Sequence, residues 1–187
     1  MARSHLSHGL IAGGWVACGL SAAGAPGNVA VYSGLLTWWG ALVPDIDHHD
    51  AKITYQLGIL GWALSRIARL FGGHRGWTHT LYGCAVFGVL TSVATFLYPE
   101  PVTSHYAWAW GLAMAAGCLA HILGDMMTVQ GCDLFWVPGR PFRRWRITSE
   151  PIVTMSADEW WLYYSRWRPA SYASTAAALV VALWAHT

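Results

Sequence analysis

The chain has 187 residues, of which 55% are hydrophobic and 11% charged, with 13 Trp, 8 Tyr and 5 Phe. Soluble domains carry about 25% charged residues, so this composition excludes an ordinary water-soluble domain, a disordered tail and a nucleic-acid binder. The formal net charge of +2 is too small to draw a polyanion by bulk electrostatics. What remains is a small integral membrane protein, read as one domain over residues 1–187.

In chain order, Arg3 precedes an apolar run from Gly9 to Gly24. Arg3, this run and Ala23-Gly24-Ala25 together have the look of a signal peptide, but Pro26 would follow the cut and the apolar run resumes at once. The segment therefore reads as a retained span. Ala25-Pro26-Gly27-Asn28 is a turn signal, and with Val29 to Val43 it completes a tight helical hairpin. After Pro44-Asp-Ile-Asp-His-His-Asp50, the stretch Ile53 to Phe71 is apolar but edged by Lys52, Arg66 and Arg69. It lies in the interface, re-enters or spans, and the sequence leaves all three open.

His79 to Tyr98 and His105 to Thr128 reach the roughly 20 residues of a straight crossing. The shorter apolar stretches, including Pro169 to Ala185, need local thinning or interfacial anchors. Val129 to Arg168 is irregular, punctuated by Gly131, Pro138, Gly139 and Pro141. Within it Ser156-Ala-Asp-Glu159 is a capping-box pattern ahead of Trp160, Trp161, Tyr163, Tyr164 and Trp167, which predicts an interfacial helix. Cys18, Cys84, Cys118 and Cys132 show no metal or disulfide spacing and read as small buried hydrophobes. The predicted fold is an all-α membrane bundle of about five transmembrane helices plus interfacial helices.

If residues 53–71 do not span, all eleven basic residues share one face, and the turns Ala25 to Asn28 and Pro99 to Ser104 on the other face hold none. By the positive-inside rule the basic face is cytoplasmic, with the N-terminus inside and the C-terminus outside.

Nine histidines in so apolar a chain need an explanation. His8 opens the first span, Asp45 and Asp47 close the second, His74 and His79 open the third, and His121-x-x-x-Asp125 sits in the last turns of the fourth. Each alone has a plain reading. The i, i+4 pair His121 and Asp125 suits a structural hydrogen bond or a proton relay, the Asp-x-Asp a solvated turn, and His74 and His79 snorkelling boundary residues. His8, His48 and His49 fit simple interfacial positions. Four ionisable clusters at one depth are costly without a shared positive centre, and imidazoles with carboxylates suit Zn²⁺, Mn²⁺ or Fe²⁺. More than four candidate ligands points to two or more ions, as in phosphoester hydrolysis. Arg75 is placed either to bind a phosphate through its fork of donors or to anchor the topology. Arg143, Arg144 and Arg146 are placed to anchor on, or guide in, an anionic headgroup.

The strings Leu42-Val-Pro-Asp-Ile-Asp-His48, Gly73-His-Arg-Gly-Trp-Thr-His-Thr-Leu81 and Leu119-Ala-His-Ile-Leu-Gly-Asp-Met-Met-Thr128, then Gly131 and Leu134-Phe-Trp136, resemble the YdjM/YbcI family of bacterial inner-membrane proteins, described as metal-dependent hydrolases. The resemblance covers roughly residues 5 to 146. A more distant similarity is to the all-helical zinc-dependent phospholipase C and nuclease folds. The resemblance implies a bacterial inner-membrane location and a metal site of Asp45, Asp47, His74, His79, His121 and Asp125, with His8, or nearby His5, as the N-terminal histidine. Phe135-Trp136-Val137-Pro138 carries one residue more than the family's Leu-Trp-Pro-like ending, a departure that bears on the substrate-side loop.

The function expected from this reading is a membrane-embedded phosphoesterase acting on a lipid or lipid-linked phosphate at the cytoplasmic leaflet. Zinc is the first choice of ion, with manganese or iron as alternatives. The metals activate water, Arg75 binds phosphoryl oxygens and His48 protonates the leaving oxygen. No Gly-x-Ser-x-Gly string supports a serine hydrolase. The rivals are a proton or divalent-cation transporter using His121 and Asp125, and a membrane binding or regulatory module stabilised by a structural metal.

Overall fold

A computed structural model describes residues 2–149, 152–153, 161 and 163–184. The described residues form eight α-helices: α1 (Ala2–Ala22), α2 (Gly27–Gly40), α3 (Lys52–Gln56), α4 (Gly58–Leu70), α5 (Leu81–Phe96), α6 (Pro101–His105), α7 (Ala107–Met126) and α8 (Arg168–Trp184). The longer ones fall on the five apolar stretches, as hydrophobic patterning predicts. α7 is both long and apolar enough to cross a bilayer, and α5 is apolar but shorter.

α1 begins seven residues before the apolar run that marks it in the sequence. The polar residues that lower hydropathy there include His5 and Ser7, which are buried. They face the protein interior, so the helix continues through them.

α1 packs on α2, α7 and α8, while α7 also packs on α2 and α5. Glycines set these crossings. A Cβ on Gly13 of α1 would run into the Gly34 carbonyl of α2, one on Gly117 of α7 into the Thr37 carbonyl, and one on Gly88 of α5 would lie 2.9 Å from the Gly111 oxygen. Small residues at contact faces let backbones approach where lipid supplies no hydrophobic drive between helices. Gly117→Val should therefore push α7 off α2 and cost about 1–3 kcal/mol, read as a lower thermal midpoint in detergent.

Between α2 and α5 the chain forms two 3₁₀ turns, Val43–Asp47 and Trp77–His79. Thr80 caps α5, its hydroxyl accepting from the Gly83 amide at 3.0 Å and donating to the Trp77 carbonyl at 2.7 Å. That cap fixes His79 at the threshold of the helix.

The segment the sequence left open is broken rather than continuous. α3 and α4 meet at Gly58, whose φ of +58° suits a residue without a Cβ. The 13 residues of α4 reach about 20 Å, short of the roughly 30 Å hydrocarbon core. Its two ends also return to one place, because Asp47 before it bonds His74 after it at 2.9 Å. Gly61, Ser65 and Ala68 face the bundle, whereas Ile59, Trp62, Ile67 and Leu70 face outward.

After α7 the chain is irregular, tied by isolated bridges Thr128 to Ile152 and Cys132 to Trp145. The capping box at Ser156 to Glu159 and Trp160 lie outside the described residues. A π-turn, Tyr163–Trp167, runs directly into α8, so this part of the aromatic stretch is continuous with the last long helix.

Candidate metal centre

Five long helices bring the same end to one place. α1 and α5 start there with His5 and His79, α2 and α7 finish there, and α8 starts beside it, with Trp167 next to His8. The turns at the far end, residues 23–26 and 97–106, contain no Lys or Arg.

At the convergence, four side-chain atoms form a ring. His79 Nε2 lies 3.7 Å from Asp45 Oδ1 and 3.5 Å from Asp125 Oδ2, and His121 Nε2 lies 3.6 Å from each of the same two oxygens. These separations are too long for hydrogen bonds. Asp45, His79 and His121 offer ligand atoms that all lie within 4.8 Å of one another, as do His5, His121 and Asp125, close enough for donors that share an ion. Both Nε2 atoms are buried without a hydrogen-bond partner, and buried polar atoms in native proteins are nearly always satisfied.

The other nitrogen of each ring is accounted for. His121 Nδ1 donates to the Ala41 carbonyl at 2.7 Å, which leaves Nε2 as a bare lone pair. His79 Nδ1 faces Thr78 Oγ1 at 3.0 Å and Asp47 Oδ2 at 3.3 Å. A carboxylate behind the outer nitrogen of a histidine is the arrangement that orients metal-binding imidazoles.

Asp45 and Asp47 sit on the same 3₁₀ turn. With three residues per turn, positions two apart diverge. Asp45 faces the ring, whereas Asp47 turns to the loop before α5. There Asp47 meets His74 Nδ1 at 2.9 Å, and accepts from the Arg75 amide at 2.9 Å and the Thr78 hydroxyl at 2.7 Å. Burial alone would raise both carboxyls. The imidazoles beside them, His121 and His79 for Asp45 and His74 and His79 for Asp47, outweigh burial and hold both carboxyls well below the usual range. The carboxylates of Asp45, Asp47 and Asp125 surround His79 at 3.3–3.7 Å, and the negative field they make there favours a cation. Asp47→Asn should keep the fold but weaken metal binding about 10–100-fold, measured by competition with a chelating dye.

Arg75 adopts φ +63°, a left-handed conformation that is strained for an arginine. Its amide is held by Asp47, and its guanidinium turns inward, donating to Asp125 Oδ1 at 2.7 Å and the Gly131 carbonyl at 2.9 Å. The sequence leaves this fork between a phosphate and a topology anchor. In the fold Nη1 and Nη2 are committed to the protein, and Nε is buried without a partner. Asp45, Asp47 and Asp125 against Arg75 leave two uncompensated negative charges when the imidazoles are neutral, matching one divalent cation.

Between the two N-terminal histidines, His5 is the one in the cluster. Its ring stacks on His121 at 3.8 Å and its Nε2 lies 3.5 Å from Asp125 Oδ1. His8, one turn on, packs against the Trp167 ring at 5.0 Å. His74 meets Asp47 at 2.9 Å and lies edge-on to the His79 ring at 5.5 Å, outside the ring of four. His48 is half-buried, its Nδ1 accepting from the Asp50 amide at 3.2 Å and its ring edge-on to His74 at 5.0 Å.

Arg143, Arg144 and Arg146 are exposed, on a strand of chain tied to the site by the Cys132 to Trp145 bridge. Asp133 braces that loop by accepting from the Arg143 amide at 2.6 Å.

Sequence reasoning missed Thr78, Gly131 and Cys132. Thr78 is flanked by marked residues and its role depends on a 3₁₀ turn. Gly131 acts through its carbonyl, which no side-chain pattern reports. Cys132 is fully buried, its Sγ 3.8 Å from Asp125 Oδ2, and burial with the Asp125 charge pushes its thiol up.

The family described as YdjM inner membrane protein matches residues 1–187. Inner membrane protein YdjM of Escherichia coli (strain K12), and the protein of the same name from Shigella flexneri, are each 36% identical over 129 residues. That alignment takes in 69% of this chain and 57% of each relative, so the chain spans less than two thirds of the relatives' length. No solved structure shows a significant match. With its motifs in this order and the match running the whole length, the chain belongs to the YdjM inner membrane protein family, a family of bacterial inner-membrane proteins.

Proposed function

We propose that this chain is a membrane-embedded metal-dependent hydrolase, a phosphoesterase acting on a lipid or lipid-linked phosphate at the cytoplasmic face. The observation that carries the reading is the ring of Asp45, His79, His121 and Asp125, with two buried imidazole nitrogens that have no other partner. These four residues hold one divalent cation, zinc first among the candidates. Arg75 supplies a fixed positive charge on Asp125 Oδ1, where a second ion would otherwise bind. A bound cation of this kind polarises a phosphoryl oxygen and lowers the pKa of water.

The chain's own residues do the rest. Asp47 orients His79 and His74, and Asp45, whose side chain is 14% exposed, marks the side from which substrate enters. His48 donates the proton to the leaving oxygen. Arg143, Arg144 and Arg146 draw the anionic headgroup toward the site.

In this reading α1, α2, α5, α7 and α8 cross the membrane, since successive long helices alternately start and end at the site. The concentration of Lys and Arg on the site side makes that side cytoplasmic. α4 lies in the interface with its apolar face toward the acyl chains and Arg66 over the Trp62 ring at 4.6 Å.

The test is turnover by the purified protein in liposomes, loaded with Zn²⁺ or Mn²⁺ and offered phospholipids and prenyl phosphates. Metal-dependent release of phosphate or a phosphorylated headgroup, abolished in Asp45→Asn, is the expected result. No release across the panel from a protein with full metal would overturn it.

One observation favours a second reading. Four protein donors are the full complement of a structural zinc, so the ion would then hold the helix ends together for a binding or regulatory role. That reading predicts a large loss of thermal stability on chelation and no turnover. Transport finds less support, because among the described residues the long helices carry no Asp or Glu other than Asp125, in the last turns of α7.

A further inference from the structure

On α1, His5 and His8 turn toward Gly124 of α7, whereas Leu6, Ser7, Leu10, Gly14 and Ala17 line a groove on another flank of the helix. Two cavities make up this groove. The larger, about 360 Å³, lies between α1, α2 and α8 and is almost wholly apolar, walled by Val31, Leu35 and Ala178 among others. The second, about 240 Å³, adjoins it through Leu10 and Trp38 and is bordered by Ser7, Tyr163, Arg168 and Tyr172.

We infer that this groove binds a phospholipid of the bilayer, with one acyl chain between α1, α2 and α8 and its phosphate on Arg168. The apolar part runs from Leu10 to Ser21 along α1, about 16 Å at 1.5 Å per residue, a length suited to a hydrocarbon chain. A groove with this apolar lining favours hydrocarbon over water.

Charge complementarity identifies the other end of the ligand. Arg168 sits at the mouth, its Nε donating to the Tyr172 hydroxyl at 3.3 Å and its guanidinium 5.8 and 5.7 Å from the Tyr164 and Tyr172 rings. Among the described residues no carboxylate pairs with it, so its remaining donors are open to a phosphate, which the guanidinium fork matches. Leu6 and Ser7 at the mouth lie between His5 and His8 in sequence, so the phosphate sits at the depth of the metal centre but around α1 from it. The bound lipid is therefore a resident one rather than the molecule hydrolysed, and the proposal does not rest on the hydrolase reading.

The test is native mass spectrometry of the full chain in mild detergent, titrated with dioleoyl phosphatidylglycerol and with neutral dioleoylglycerol. One phosphatidylglycerol should be retained, at least tenfold more tightly than the diacylglycerol. Arg168→Ala should weaken it at least tenfold. So should Val31→Trp, which fills the groove from a half-exposed position, with Leu35→Trp as a second filler if the first unfolds. Binding should persist in His121→Ala, which separates this site from the metal centre. Equal binding of the two lipids, or phosphatidylglycerol binding unchanged in Arg168→Ala and the fillers, would overturn the proposal.

Discussion

Arg75→Ala is expected to destabilise the protein by on the order of 3–5 kcal/mol, the cost of leaving one member of a buried ion pair without its partner. Arg75 is 6% exposed and Asp125 1%, and the guanidinium that joins them also satisfies the Gly131 carbonyl at 2.9 Å. Removing it orphans a carboxylate and a carbonyl together and raises the negative charge of the site. The backbone provides a control. Because Arg75 has φ +63°, Arg75→Gly relieves conformational strain while deleting the same contacts, and should be less damaging than Arg75→Ala by about 1 kcal/mol. Arg75→Lys keeps a charge but not the fork, and should fall between the parent and Ala. Thermal unfolding in detergent reads all three, with a drop of about ten degrees or more for Ala. An Ala variant as stable as the parent would mean that the guanidinium is not what balances Asp125.

His121→Ala should reduce divalent-metal affinity by more than about 100-fold, beyond the 10–100-fold that follows loss of an orienting residue. His121 contributes one corner of the ring, and its Nδ1–H fills the Ala41 carbonyl at the end of α2. The substitution therefore removes a ligand and loosens the α2 to α7 junction. Competition with a metal-chelating dye measures the first effect and unfolding in excess chelator the second. Chelator narrows the gap between parent and variant without closing it, because the hydrogen bond to Ala41 does not depend on the metal. Metal affinity equal to the parent's would remove His121 from the centre.

How much of this was legible in the sequence depends on what each residue answers to. Long apolar stretches report the bundle directly, and α5 and α7 lie within about two residues of the stretches that marked them. α1 was read too short because His5 and Ser7 face the protein interior, and a hydropathy window cannot tell an inward polar residue from a helix end. The Asp45-x-Asp47 pair was visible as chemistry, but its division of labour comes from a 3₁₀ turn, where neighbours two apart point in different directions. The choice between His5 and His8 depends on which faces Asp125 across to α7, a tertiary fact. The fold of 53–71 was open because its apolar content suits a span, and only the Gly58 break and the meeting of Asp47 with His74 show that it turns back. Arg75 was marked as functional, while the direction of its side chain follows from a left-handed backbone that the sequence does not announce.

The central claim is that Asp45, His79, His121 and Asp125 hold a divalent cation. Elemental analysis of the purified, detergent-solubilised protein beside Asp45→Ala and Asp125→Ala tests it most directly. At least one equivalent of zinc, manganese or iron per chain in the parent, substantially lost in both variants, is the predicted result. A folded parent that carries no such metal, even after reconstitution with Zn²⁺ and Mn²⁺, would contradict it.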